Sequence, residues 1–415
     1  MASSRKYIVV IGGSYGGVSV AHYLLKHALP QLTTTESYQL VMVSTASKIL
    51  CRPACPRALI SDAMFDQDKL FVDIVEVFKQ YPNNSFRFVQ GTATKLDHTE
   101  RRLLIQLADG VEESIDFHAL VIATGASTPS PLLGLHGSED SLKASWRTFR
   151  QALPNARSIV VGGGGPAGVE TAGELGEFLN GRAGWFSSAL INPKVTITLI
   201  TAGPRILPIL RADLAGKAEK YLSKVGVTVV KKTRIESISP MGAGTDNISS
   251  NAELTLQGGG TIKADLYVPA TGTRPNTSFI DRSLLAADGR VVTNASTLRV
   301  DQAGERIYAI GDAGSYSRPA VHMILDAVPV LCANIKADLL RASSETGNTA
   351  VNIQDRTFKE DTRESQLVPI GKSKGVGAMM GYRLPSFLVW LVKGRDYWLW
   401  TTSRLWSGKQ WSSES

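Results

Sequence analysis

Two glycine turns of the same design, about 150 residues apart, constrain this chain more than any other feature. The first lies in Tyr7 to Ala21, YIVVIGGSYGGVSVA, where a five-residue apolar strand runs into Gly12, Gly13, Ser14, Tyr15, Gly16 and Gly17 and then into an apolar helical pattern. The second, SIVVGGGGPAGVETAGEL from Ser158 to Leu175, fills all three glycine positions with Gly163, Gly165 and Gly168 and puts Pro166 where a first helical turn tolerates it. Glycine serves where a backbone must turn sharply and approach a pyrophosphate, so that helix N–H groups can hold the anion. In the first turn Ser14 takes the place of the middle glycine, which weakens that copy taken alone. The repetition predicts an α/β protein with two Rossmann-like dinucleotide-binding domains and a C-terminal α+β segment.

Further segments follow the same duplication. Ala119 to Ala126 (ALVIATGA) reads as a buried strand ending in Thr124 and Gly125, and Asp265 to Asn276 (DLYVPATGTRPN) echoes it, with Gly272 in the matching place. Arg306 to Gly314 (RIYAIGDAG) presents Gly311 and Asp312 at the end of a short strand, where open α/β sheets bind ligands and an acid can accept sugar hydroxyls. Tyr38 to Val43 and Val195 to Ile200 read as the second strand of each unit. The first ends in Ser44 and the second in Thr201, where an acid would hold an unphosphorylated ribose. With Arg205 close by, NADPH is as acceptable as NADH, while a surface role for Arg205 stays open. These signals divide the chain into residues 1–126 and 291–345 for one nucleotide, 127–290 for the other, and a C-terminal part from 346 to 415. An amphipathic helix is predicted over Phe71 to Gln80 and a loop over Ile49 to Ala58.

Composition narrows the setting. The 415 residues, 43% hydrophobic, can bury large cores. Three cysteines, Cys51, Cys55 and Cys332, form no disulfide framework and fit a reducing compartment. The first apolar run is already the strand before the glycine turn, so no signal peptide is read, nor any transmembrane helix, and an intracellular protein is expected, cytoplasmic or peripheral on a membrane. A net charge of +8 is spread along the chain, which weighs against nucleic acid. No metal site is expected.

The order GGSYGG, VIATGA, GGGGPAG, ATGTRPN and YAIGDAG resembles the two-dinucleotide-domain flavoproteins of the pyridine nucleotide-disulfide oxidoreductase superfamily. Pro56 to Ala58 and the tail GYRLPSFLVWLVKGRDYWL resemble the apoptosis-inducing-factor-like, mitochondrion-associated branch, also called ferroptosis suppressor proteins. The resemblance implies FAD at Gly12 to Gly17, Arg57, Thr124, Gly125, Gly311 and Asp312. It implies NAD(P)H at Gly163, Gly165, Gly168, Thr201, Arg205 and Gly272. The implied reaction is hydride transfer from nicotinamide to flavin, then electron delivery to a quinone or another small acceptor. Two departures qualify this. Cys51 and Cys55 do not have the spacing of the disulfide reductases, and Ala2 stands where some relatives carry a myristoylated glycine.

Glu170 and His322 are the catalytic candidates. Glu170 would gate the nicotinamide or relay a proton, or simply complement its helix dipole; His322 would supply a proton, or simply pack. The tail is apolar but too short to span a bilayer, and its tryptophans, Trp390, Trp398, Trp400, Trp406 and Trp411, among basic residues suit either a peripheral membrane contact or packing on the flavin domain or a homodimer partner. A soluble FAD enzyme acting on a small metabolite and a flavin-bearing, redox-regulated binding protein are the alternatives to a quinone reductase.

Overall fold

The computed structural model describes residues 5–32, 38–344 and 353–414. Ala2 and the predicted boundary at 345/346 lie outside them. Apolar β-branched residues build two parallel sheets. In the first, Lys6–Ile11 sits between Tyr38–Ser44 and Ala119–Ile122, pairing Val10 with Met42 on one side and Val121 on the other. Ile307–Ala309 adds parallel to Ala119–Ile122, and Phe86–Asp97 adds beyond Tyr38–Ser44 before leading into an antiparallel pair, Arg102–Leu107 and Glu112–Asp116. Ile8 and Val10 pack on one face with Met42 and Leu331, and Val9 and Ile11 on the other with Val41 and Leu120. Burial on both faces is why these strands read as continuous apolar runs rather than as an alternation.

The second sheet repeats the scheme with Val227–Val230, Thr196–Ile200, Ser158–Gly162 and Leu266–Pro269, all parallel. An antiparallel meander of Ile235–Ser239, Ala252–Leu256 and Thr261–Ala264 covers part of it. The chain passes between the halves through a short antiparallel pair, Ala126–Ser127 with Arg274–Pro275. A C-terminal hairpin, Gln366–Ile370 with Lys374–Met379, then packs on the helix Pro166–Asn180.

Two predicted elements differ. Phe71–Asp73 is a strand paired with Lys48–Leu50, and only Ile74–Phe78 is helical, capped by the Asp73 carboxylate accepting from the Glu76 amide. Pairing to a neighbouring strand overrode the local helical pattern. Ile49 to Ala58, predicted as a loop, enters that strand pair and continues through Arg52–Ala54 into a turn of helix at Cys55–Ala58.

Each glycine turn depends on two close backbone approaches. Gly12 and Gly163 have φ of +118° and +119°, and a Cβ there would stand 2.1 and 2.0 Å from the carbonyl oxygens of Ala123 and Ala270. At Gly17 and Gly168 a Cβ would meet the carbonyl oxygens of Gly12 and Gly163 at 1.8 and 1.9 Å. The middle position carries no such constraint: Ser14 is extended at φ −124°, and a Cβ on Gly165 would touch nothing within 4 Å. Serine is therefore accommodated where the motif reads glycine. Gly17→Ala is expected to lower unfolding free energy by about 1–3 kcal/mol, whereas Gly165→Ala leaves stability nearly unchanged. Urea midpoints of the two variants check this, and equal losses would refute the geometric distinction.

Candidate functional site

Both turns open into one groove of about 1750 Å³ at the C-terminal ends of the two parallel sheets. That exceeds the ~300–1000 Å³ of an ordinary small-molecule pocket and leaves room for two nucleotides. From the first half come Gly12, Gly13, Ser14, Tyr15, Gly16, Thr124, Gly125, Gly311 and Asp312; from the second come Gly163, Gly165, Glu170, Thr201 and Gly272. Gly17 and Gly168 stand behind their turns and serve helix–strand packing.

The residues present fit the two dinucleotides. The Thr124 hydroxyl is buried and has no hydrogen-bond partner, a vacancy that a bound polar group would satisfy. Burial raises the Asp312 carboxyl above its ordinary pKa, opposed by the Arg52 and Arg290 guanidiniums. Arg52, which sequence reasoning passed over, lines the groove and donates to the carbonyls of Ala126 and Leu133. Thr201 lies against the second turn: a Cβ on Gly164 would stand 2.6 Å from its hydroxyl, the same relation that Ser44 has to Gly13.

Where the halves meet the tail, Glu170 is buried and receives the Lys393 ammonium at 2.5 Å, and both side chains line the groove. Burial pushes the Glu170 carboxyl up to about 7, with the Lys393 charge working against that rise. Lys393 also donates to the Leu367 carbonyl and stands 4.9 Å from the Trp398 ring centre. Lys393 is one of the basic residues interspersed with the tail tryptophans, a pattern that suits an interfacial segment and a packed tail alike, and here it is packed. Its position as the one basic residue inside LPSFLVWLVKG was the available signal, because a charge embedded in an apolar run is either at a water boundary or paired.

Three expected site residues turn elsewhere. Arg57 is buried in a bidentate pair with Glu174, at 2.8 and 3.0 Å, and donates to the Gly394 carbonyl, so its charge is spent on joining the first half to the helix Pro166–Asn180 and the tail. Arg205 donates to the Pro208 carbonyl in its own loop. His322 is half-buried one residue beyond Val321, which does line the groove, and burial together with Arg318 keeps its pKa below the ordinary value. Cys51 and Cys55 are free buried thiols pushed up to about 11 and about 12, and neither lines the groove. Of the tail tryptophans, Trp406 and Trp411 are buried against the first half, while Trp390 and Trp400 remain exposed. Among the described residues no helix is long and apolar enough to cross a membrane, and no group of three or more His, Cys, Asp or Glu side chains could hold a metal.

Two Rossmann-like halves with their glycine turns facing one groove define the class of two-dinucleotide-domain flavoproteins. The chain belongs to the pyridine nucleotide-disulphide oxidoreductase family, whose model matches residues 6–327, and as a member it is an oxidoreductase using FAD and a nicotinamide dinucleotide. It is 60% identical over 415 residues to the oxidoreductase phnG of Penicillium herquei, covering 100% of this chain and 99% of that one. It is 24% identical over 395 residues to ferroptosis suppressor protein 1 of Xenopus tropicalis, covering 94% and 92% respectively. Among solved structures, NDH2 of Plasmodium falciparum in complex with NADH matches with a TM-score of 0.66 at 15% identity, covering 99% of both chains.

Lys393→Met leaves the Glu170 carboxylate buried without its cation and is expected to cost about 3–5 kcal/mol of stability at pH 8. A Glu whose native pKa is raised binds its proton more tightly folded than unfolded, so the stability it supports is present below the unfolded value and lost as pH rises through about 7. The deficit of Lys393→Met should therefore shrink at pH 6. Urea unfolding at the two pH values measures it, and a pH-independent deficit would count against the pair.

Proposed function

We propose that the protein takes a hydride from NAD(P)H onto FAD and passes the electrons directly to a quinone-like acceptor. The observation that carries this reading is a groove shared by both glycine turns and lined by no cysteine. Bound FAD supplies the two-electron chemistry; the protein supplies orientation, charge and exclusion of water. In this reading the turn Gly12 to Gly16, with the N-terminus of the helix Tyr15–Tyr23, would hold the FAD pyrophosphate. Thr124 and Gly125 would face the flavin nucleotide, and Asp312 beside Gly311 would accept from its sugar alcohols. Gly163 and Gly165 with the helix Pro166–Asn180 hold the second pyrophosphate, and Thr201 and Gly272 flank that nucleotide.

Glu170 is a group in this groove placed to hold or move a proton: it lines the groove beside Lys393, and burial pushes its carboxyl up to about 7. Reduction of a quinone to a quinol needs two protons as well as two electrons, and Lys393 keeps that carboxyl oriented. His322, next to the lining residue Val321 but not itself in the groove wall, is not assigned a role. A soluble FAD enzyme acting on a small metabolite other than a quinone is the second reading, and the 60% identical relative carries the general name of an oxidoreductase.

Anaerobic addition of NADH or NADPH to the purified yellow protein should bleach the flavin, and a quinone should restore the colour. Reoxidation by soluble aromatic carbonyl compounds but not by quinones would favour the second reading, and no bleaching by either nucleotide would refute both. Asp312→Ala is expected to weaken flavin retention by roughly tenfold or more, the loss of a hydrogen bond to a charged group; full flavin content would sink the assignment. Thr201→Glu should shift preference toward NADH by about tenfold, since a carboxylate bonds the ribose and repels a 2′-phosphate. The ratio of specificity constants for the two nucleotides checks it.

A further inference from the structure

The segment between the helix Pro166–Asn180 and the strand Thr196–Ile200 carries apolar side chains where none is needed for the fold. Trp185 is 87% exposed, Phe186 100% and Ile191 82%, and Phe178 on the last turn of the preceding helix is also exposed. Water is an unfavourable surrounding for side chains of this size, and loops normally end in small polar residues.

This loop is held firmly at its base. The Asn180 side chain brackets Val195, accepting from its amide at 2.8 Å and donating to its carbonyl at 3.0 Å. The Ala183 and Leu190 amides donate to the carbonyls of Lys224 and Ser223 at the end of the helix Ala212–Ser223, and the Lys224 ammonium reaches the Trp185 carbonyl at 3.2 Å. The aromatic pair is thus presented outward from a braced turn.

Its surroundings are basic. Residues 181–194 contain Arg182 and Lys194 and no acid, and Lys194 and Lys220 are exposed. Arg182 holds Glu177 and donates to the Ile370 carbonyl, and the Lys372 amide donates to the same Glu177 carboxylate, which brings exposed Lys372 of the C-terminal hairpin turn alongside. Glu177 is therefore already neutralised, and Glu219, beside Lys220 on the anchoring helix, is paired with Lys231. Exposed aromatics on a loop whose base and C-terminal end carry lysines match an anionic bilayer: rings enter the headgroup region while ammonium groups meet lipid phosphates and carboxylates.

We propose that the loop 184–191 is a membrane-docking element that seats the nucleotide-binding half of this protein on anionic lipid surfaces. This docking is separate from the redox reading, since none of its residues lines the groove. The test uses the full-length, flavin-loaded chain in co-sedimentation with phosphatidylcholine vesicles with and without phosphatidylserine. The wild type should bind the phosphatidylserine vesicles, more weakly as salt rises, and the double variant Trp185→Ser, Phe186→Ser should lose roughly tenfold or more in partitioning while anaerobic flavin reduction by NADH stays unchanged. Brominated lipid should quench wild-type tryptophan fluorescence, and that quenching should fall in the variant. The proposal is overturned if the wild type ignores anionic vesicles, if the double variant binds as well as wild type, or if Phe387→Ser in the exposed part of the tail abolishes binding while the loop variant does not.

Discussion

Three carboxylates on one face of a single helix hold this molecule together. Glu170, Glu174 and Glu177 recur at the spacing that stacks side chains along one side of the helix Pro166–Asn180, where like charges oppose each other unless each meets a cation. Each does: Lys393 from the tail, Arg57 from the first half, and Arg182 from the helix's own end. Glu174 also accepts from the Tyr397 hydroxyl at 2.9 Å. Two of these pairs are buried, so removing either partner exposes the other to the full desolvation cost, and the three parts of the chain are obliged to stay together.

The same row explains the limits of sequence reading. Glu170 was visible because it sits just inside a recognisable glycine turn. Its partner lies 223 residues away, and the partner of Glu174 lies 117 away, with no local pattern linking them. The resemblance of Pro56 to Ala58 to the family implied a cofactor contact for Arg57, yet in three dimensions its guanidinium pairs with Glu174. The glycine turns were legible for the opposite reason. Their requirements are local: a left-handed φ and two carbonyls that exclude a Cβ, conditions that few residues besides glycine can meet. Ser14 was read as a weakness only because sequence alone does not say which glycines in the motif carry backbone strain.

Tail tryptophans mislead in a similar way, since aromatic residues suit a membrane interface and a protein core equally well. Main-chain bonding decides between them. His22, Lys26 and His27 on the first helical segments reach the carbonyls of Trp406, Gly408 and Trp411, which lays the end of the chain against the first half and buries Trp406 and Trp411. His22 is held down to about 4 by burial, so it stays neutral at ordinary pH and keeps one ring nitrogen as donor and the other as acceptor. Apolar surface that remains outside, at Phe387, Leu391 and Trp400, belongs to the stretch before this latch.

Latch and carboxylate row together make the tail part of the shared groove rather than an appendage to it. Lys393 reaches Glu170 only if the turn around Trp390–Gly394 is held in place, and that turn is fixed by Arg57 donating to the Gly394 carbonyl on one side and by Tyr397 bonding Glu174 on the other. A chain ending near Tyr382 would therefore lose the cation of its groove carboxyl as well as any surface contact. Slow acceptor reduction in such a truncation would not by itself identify an acceptor entrance. Substitution at exposed Phe387 separates a route for the acceptor from the integrity of the site, whereas exposed Trp400 donates to the Val392 carbonyl and so braces the turn that carries Lys393.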